Sequence, residues 1–356
     1  MAACWLSQCY ADALTRAKED RMFNYLCNPS AAIRKRLSLL DGKNGVSEQD
    51  ESGIHKIKTV AECFSIVDKM TSENVLFHGY DSLENCIKVF AEYAVDKKEE
   101  HYQKCLDIIE SKKDGDSLYK RGITKNAELF EGKGYSASKA IRASLLICSG
   151  IESEKETKLA IQHSMECFKA VLAYERIEDY AYQKNGKWIY RDGKLFPDYY
   201  NLRILALSSE WKNEETIRIL TESVNRLAML QPIPSIFVKV RSQLIAPGSY
   251  LMHDFDSSFS DNDDNKKAEW LIRNEYFSRM GVLNNKCNLR KVKESINDKK
   301  VLVESMLSIK NNYAFTKWGA YSGVSLDDDW LKKERRINDL AFRIGLISHY
   351  SNENFA

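Results

Sequence analysis

Apolar residues recur every three or four positions along most of this chain, and that spacing decides what it can fold into. Val60, Cys63, Phe64, Val67 and Met70 make one stripe, and Leu83, Cys86, Ile87, Phe90 and Ala94 the next. Tyr102, Cys105, Leu106 and Ile109 follow, then Ile161, Met165, Phe168 and Leu172. Ile217, Leu220, Val224 and Leu227, and finally Ile337, Leu340, Ala341, Ile344 and Ile347, close the series. Such spacing returns each side chain to one face of an α-helix, so every stripe predicts a helix with one buried side. Polar stretches at 41–53, 111–122, 131–134, 149–152 and 208–213, all but the last containing Gly, separate them. The rhythm predicts about a dozen helices in stacked antiparallel hairpins. Asp81 and Asn213 are the expected N-caps, and Pro29 and Gly42 bracket a further helix.

Two stretches break the rhythm. Residues 187–191 and 194–196, around Asp192-Gly193, predict a small β-hairpin, because Asp-Gly tolerates the positive φ of a tight turn. Residues 231–255 (QPIPSIFVKVRSQLIAPGSYLMHDF) hold three of the five prolines and mix alternating with helical spacing. An irregular segment is expected there, and long irregular segments often carry function. Residues 286–300 are polar and expected to be loosely held.

Charge and cysteine usage narrow the classes of function. With 53 basic and 51 acidic side chains the net charge is +2, which gives no general attraction to nucleic acid or anionic lipid. No apolar run approaches the roughly eighteen residues of a membrane span, and the start of the chain lacks the basic-then-apolar order of a secretory signal. The nine cysteines form no CxxC pair and mostly sit on apolar helical faces. They are expected as reduced, buried side chains of a cytoplasmic protein. His101 with Cys105 and His163 with Cys167 have zinc-compatible spacing, yet each cysteine also completes its own helix's apolar stripe. There is no Gly-rich phosphate loop and no His-Glu-x-x-His, so the residues name no cofactor.

Several polar clusters are candidates for a site, each with a structural alternative. His253-Asp254, following Arg241 and Gln243, combines a histidine with a carboxylate for acid–base work and an arginine for an anionic group. Alternatively, Asp254 caps a turn and His253 packs against Tyr250. Tyr199 and Arg203, one turn apart after Asp198, would share a helical face and offer a ring and a cation to a cavity. Alternatively, Asp198 is an N-cap and Arg203 pairs at the surface. Asp327-Asp328-Asp329, ahead of a basic helix, is explained by the helix dipole, with a divalent cation as the sharper reading and Asp328 as its ligand-binding representative. Trp318, with Trp188, Tyr190, Trp211 and Tyr321, would line a hydrophobic cavity or simply fill a core.

Three segments carry a resemblance: FPDYYNLRILALSSEW at 196–211, residues 231–255, and KWGAYSGVSLDDDWLKKERRINDLAFRIGLI at 317–347. They resemble a group of bacterial proteins placed with the α/α-toroid superfamily of terpene cyclases and protein prenyltransferases. The likeness runs over roughly 135–350, within the 123–356 part of a single domain spanning 1–356, and is diffuse over 1–122. It implies an all-α fold, a toroid of helical hairpins around a central cavity, with the β-hairpin as an insertion. It carries no reaction, since that superfamily includes cyclases, transferases and binders. The zinc-holding Asp-x-Cys of the prenyltransferases is absent. The Asp-x-Asp-Asp of class II cyclases is spelled by Asp261-Asn262-Asp263-Asp264, where Asp263 would be the proton donor. Its Ser- and Asn-rich neighbours favour an N-cap instead.

The expected function is binding or transformation of a small, partly apolar, anionic ligand in a central cavity. His253 and Asp254 would be catalytic, and Arg241, Gln243, Tyr199, Arg203, Trp318 and Asp328 would bind the ligand. A non-catalytic helical scaffold for a protein partner is the alternative, and an isoprenoid cyclase a second one.

Overall fold

A computed structural model describes residues 22–42, 48–111, 124–248, 250–327 and 329–353. Asp328 and the side chain of Tyr250 lie outside the described residues. The chain is mostly helical. The first helices are α1 (Ala31–Leu40), α2 (Glu48–His55), α3 (Lys58–Asp68), α4 (Leu83–Glu92) and α5 (Glu100–Glu110). Next come α6 (Thr124–Glu131), α7 (Ser138–Cys148) and α8 (Lys155–Val171). After strands β1 (Ala181–Lys184) and β2 (Lys187–Tyr190) come α9 (Tyr199–Leu207) and α10 (Glu214–Met229). Strands β3 (Ile236–Val240) and β4 (Gln243–Ile245) precede α11 (Asp264–Arg279), α12 (Arg290–Asn297), α13 (Lys299–Ser308), α14 (Tyr313–Thr316) and α15 (Lys333–Glu353).

The stripes read from the sequence fall on α3, α4, α5, α8, α10 and α15, and most of their apolar residues join one continuous core, whereas Leu172 stays exposed. Helix ends follow local chemistry. Asn213 accepts from Thr216 N and Asp263 accepts from Lys266 N, each satisfying an N–H that the first turn leaves unpaired. Asp198 caps α9 through Tyr200 N and Asn201 N. At α4 the cap is Ser82 rather than Asp81, because its Oγ reaches Asn85 N at 3.2 Å. Helix also forms where polar breakers were expected: α2 occupies part of 41–53, and α12 and α13 replace a loose 286–300.

The all-α expectation needs correction. The four strands form one sheet, β1-β2-β3-β4, with antiparallel outer pairs and a parallel β2–β3 junction. The first hairpin turns at Asn185-Gly186, with φ 50° and 74°, and not at Asp192-Gly193. The second hairpin lies in the supposedly irregular 231–255. There Ile236, Val238 and Val240 point inward while their neighbours stay more exposed, the alternation of a half-buried strand.

Successive helices pack in order: α4 on α7, α7 on α9, α9 on α11, and α11 on α15. Salt bridges from Arg343 to Glu92 at 2.8 Å and to Glu275 at 3.0 Å then tie α15 to both α4 and α11. Helices α3 and α5 pack on α4, α8 on α7 and α9, α10 on α8, and α13 on α15. Helix α11 shows what this arrangement demands: Lys267, Arg273, Asn274, Glu275 and Ser278 are buried alongside Trp270, Leu271 and Phe277. Asn265 is exposed and Glu269 and Ile272 half-buried along one side of it, and the polar side chains buried on its other faces must find partners inside.

Candidate functional site

The polar interior is built on α4. Glu84, Lys88 and Glu92 are spaced by four residues, so they line one face of the helix. That face looks inward. Glu84 is fully buried, Lys88 is buried, and Glu92 binds Arg343 and Arg36. Arg36 also approaches Glu275 at 3.7 Å, and Arg279 holds Glu275 at 3.0 Å, so two carboxylates share three guanidinium groups. Burial alone would raise the Glu92 carboxyl, yet Arg343, Arg36 and Arg279 outweigh it and hold it well below the usual range.

The segment before α4 brings a histidine onto this face. Leu83 N and Glu84 N donate to the carbonyls of Leu76 and Phe77, and Ser82 Oγ donates to Gly79 O. Those bonds fold residues 76–79 back over the first turn of the helix. His78 Nδ1 then lies 2.6 Å from Glu84 Oε2. Tyr200 Oη donates to Glu84 Oε1 at 3.0 Å and lies 3.4 Å from Tyr321 Oη. Arg203 Nη1 stands 3.5 Å from Glu84 Oε1, and neither of its terminal nitrogens meets hydrogen-bond geometry. A carboxylate only accepts, so His78 donates through Nδ1, which makes Nε2 the basic nitrogen of the ring.

His78 opens onto a cleft of about 650 Å³. One wall is the loop Gly319–Ser322 with Tyr80, and the other is the α11 surface of Asn265, Ala268, Glu269 and Ile272. The loop is fastened from behind. Lys88 Nζ donates to Gly319 O at 3.1 Å and to Ser322 O at 2.8 Å, Tyr93 Oη to Ser325 O, and Arg343 Nε to Val324 O. Burial in this interior, reinforced by Arg203, lowers the Lys88 ammonium to about 7 against the pull of Glu92 and Glu84. Tyr199 packs edge-on against Tyr321 with centroids 5.0 Å apart, and burial pushes its phenol up to about 12.

The residues singled out in the sequence divide into two groups. Tyr199, Arg203 and Trp318 do gather around α4: Arg203 faces Glu84, Tyr199 meets Tyr321, and Lys88 Nζ sits 5.3 Å from the Trp318 ring centroid. Asp198 caps the helix as its alternative reading had it, but Arg203 is buried beside Glu84 and not at the surface. The other group does not join them. Arg241, at φ 54°, forms the exposed turn between β3 and β4, and Gln243 is exposed at the start of β4. His253 donates to Ile233 O at 2.5 Å, so a backbone carbonyl holds it and not Asp254. Asp254 is exposed, and its carboxylate approaches Lys266 at 3.8 Å. The arginine that reaches this turn is Arg273, which donates to the carbonyls of His253 and Asp254.

The remaining motifs resolve into structural roles. Asp261 and Asp263 are exposed at the start of α11, with Asp263 as its cap, which is no setting for an acid that must protonate an alkene in an apolar pocket. Asp327 pairs with Arg335 and Asp329 with Lys332 ahead of α15. His101 is held by Glu99 and Asp68, and His163 Nε2 bonds Gly134 O with Cys167 Sγ at 3.5 Å. Among the described residues no three His, Cys, Asp or Glu side chains converge to hold a metal ion, and no helix is long and apolar enough to cross a membrane. Glu84 and Lys88 went unnoticed in the sequence because a charged face opposite an apolar stripe ordinarily faces water, and His78 because it stands outside the helix, in the segment folded back over it. No family model, curated protein or solved structure matches this chain.

Proposed function

We propose that the protein is an α/α-toroid that takes up a small, partly apolar anion in the cleft over His78 and exchanges a proton with it. The ring is supported by the unbroken series of packed helices from α4 through α7, α9 and α11 to α15, with Arg343 joining the last to the first. The outer layer of α3, α5, α8 and α13 fits the same plan. An anion suits the charge behind the cleft, where Arg36, Lys88, Arg203, Arg279 and Arg343 outnumber Glu84, Glu92 and Glu275. An apolar part suits Ala268, Ile272, Ala314 and Ala320 on the walls.

The single observation carrying this reading is the 2.6 Å bond between His78, which lines the cleft, and the fully buried Glu84. Glu84 fixes the tautomer and steadies the imidazolium when Nε2 takes a proton, the arrangement used by acid–base histidines. The test is a thermal-shift and calorimetric titration with hexanoate, phenylacetate and geranyl diphosphate. At least one should stabilise the wild-type protein, and His78→Gln should weaken it by about tenfold, the scale of one charge-assisted hydrogen bond. Equal affinity in the variant, or no response to any of the three, would refute the assignment.

A further inference from the structure

The four-stranded sheet has two faces of opposite character. One, carrying Ala181, Tyr190, Ile236, Val238 and Val240, packs on the core. The other carries a row that crosses three strands, with Tyr182 paired to Ile189 and Ile189 to Phe237. Tyr182 and Phe237 are half-buried, and Ile189, although only 2% exposed, joins no part of the core, so its neighbours on this outer face cover it. Cations stand on both sides of the row. Lys184 and Lys187 lie two residues to one side and Arg191 and Lys239 two residues to the other, because every second side chain of a strand shares a face. Arg241 follows at the turn between β3 and β4.

Residues 181–191 and 236–245 hold these five cations and no carboxylate, an excess that the whole-chain charge of +2 averages away. All five are exposed, and among the described residues none has an acidic partner. Asp192 is taken by Lys133, and Glu178 meets Arg191 through its backbone carbonyl, 2.9 Å from Nε. Lys184 and Lys187 sit directly opposite each other across the first hairpin. Like charges so placed oppose strand pairing, and an anion between them removes that cost. The rings are part of the same surface: Lys187 Nζ is 5.4 Å from the Phe237 centroid and Arg191 Cζ 5.8 Å from that of Tyr182. Rings interleaved with unpaired cations suit a ligand made of bases and phosphates, whereas an anionic lipid surface would call on the cations alone. We propose that the outer face of this sheet binds single-stranded nucleic acid, stacking bases on Tyr182 and Phe237 and drawing phosphates to the flanking cations. The two rings are separated by the width of two strand spacings, about 10 Å, and a base that takes either ring frees its cation for a phosphate. The face shares no residue with the His78 cleft and does not depend on what that cleft binds.

The test is fluorescence anisotropy of a labelled deoxythymidine dodecamer titrated with the full chain. Affinity should fall by more than about tenfold between 50 and 200 mM salt, the scale of three phosphate contacts. The double variant Lys184→Gln with Lys187→Gln should bind more weakly and with a shallower salt dependence. Tyr182→Leu and Phe237→Leu should each weaken binding by about tenfold, the scale of one stacked base, with the salt dependence unchanged. The dodecamer annealed to its complement should bind at least tenfold more weakly, since paired bases cannot reach the rings, and His78→Gln should bind as wild type does. Equal binding of duplex and single strand, or ring variants that bind like wild type while still folded by thermal unfolding, overturns the proposal. So does a lysine double variant with unchanged affinity. A dodecamer that fails to bind while phosphatidylserine vesicles do would assign the face to a membrane surface and overturn it as well.

Discussion

At Gly323 the backbone takes φ +92°, and a Cβ there would meet Trp318 Cα at 2.9 Å and its ring at 2.6 Å. Gly42 has a similar φ of +69° with nothing within 4 Å of the same position. The pair separates strain from crowding. Gly42→Ala should lower unfolding free energy by about 1 kcal/mol, the cost of a left-handed alanine. Gly323→Ala should lose about 2–4 kcal/mol, since overpacking adds to strain. Denaturant midpoints of the two variants against wild type measure the difference, and equal losses would mean that the Trp318 ring gives way freely. Single residues were also where the sequence was least legible. The Tyr199–Arg203 spacing was enough to place both on one face, because helix geometry is local. Glu84, Lys88 and Glu92 have the same kind of spacing, yet nothing local distinguishes a charged face turned to water from one turned to a polar interior. Only the helices packed against it decide that. His253 failed for the opposite reason: an adjacent carboxylate in sequence is no guide when the backbone carbonyl of Ile233, twenty residues earlier and just ahead of β3, reaches the imidazole first.

The helices themselves were legible wherever one face is apolar. Helix α11 has no clean apolar stripe, since polar groups are buried among its apolar ones, and it was read over 266–280 from the cap at its start instead. That cap is testable. Asp263→Ala should cost about 1 kcal/mol by freeing Lys266 N, whereas Asp261→Ala, two positions before the cap, should change stability by less than about 0.5 kcal/mol. Thermal or denaturant unfolding of the two variants decides it, and a larger loss from Asp261 would remove the capping role. The strands were the weakest reading. Two hairpins of three to five residues per strand carry too few alternations to stand out. Asn185-Gly186 and Asp192-Gly193 are both turn sequences, and pairing of β2 with β3 selects the former. Short sheets are decided by their partners, whereas helices of ten residues or more declare themselves.

Across the whole molecule, α4, α11 and α15 meet around charges withdrawn from water, which makes stability a function of pH in a direction the buried groups determine. Asp339 on α15 accepts from Leu326 N and Trp330 Nε1, yet burial outweighs those bonds and pushes its carboxyl up to about 8. The folded protein therefore holds a proton that the unfolded chain, near 3.8, has released, so stability falls as pH rises from about 4 to about 8. Lys88 acts in the other direction. Folded, it loses its proton near 7, while the unfolded side chain keeps it to about 10.5, so stability rises with pH over that interval. Each group contributes at most about 1.4 kcal/mol per pH unit, and between 7 and 8 the two slopes cancel. Unfolding free energy measured from pH 5 to 10 should show a descending limb that Asp339→Asn removes and an ascending limb that Lys88→Met removes. Lys88→Met also frees Gly319 O and Ser322 O, but those bonds shift the whole curve and leave the change of slope as the readout. If the descending limb survives in Asp339→Asn, that carboxyl is ionised in the folded state and its two N–H donors, not its burial, set its charge.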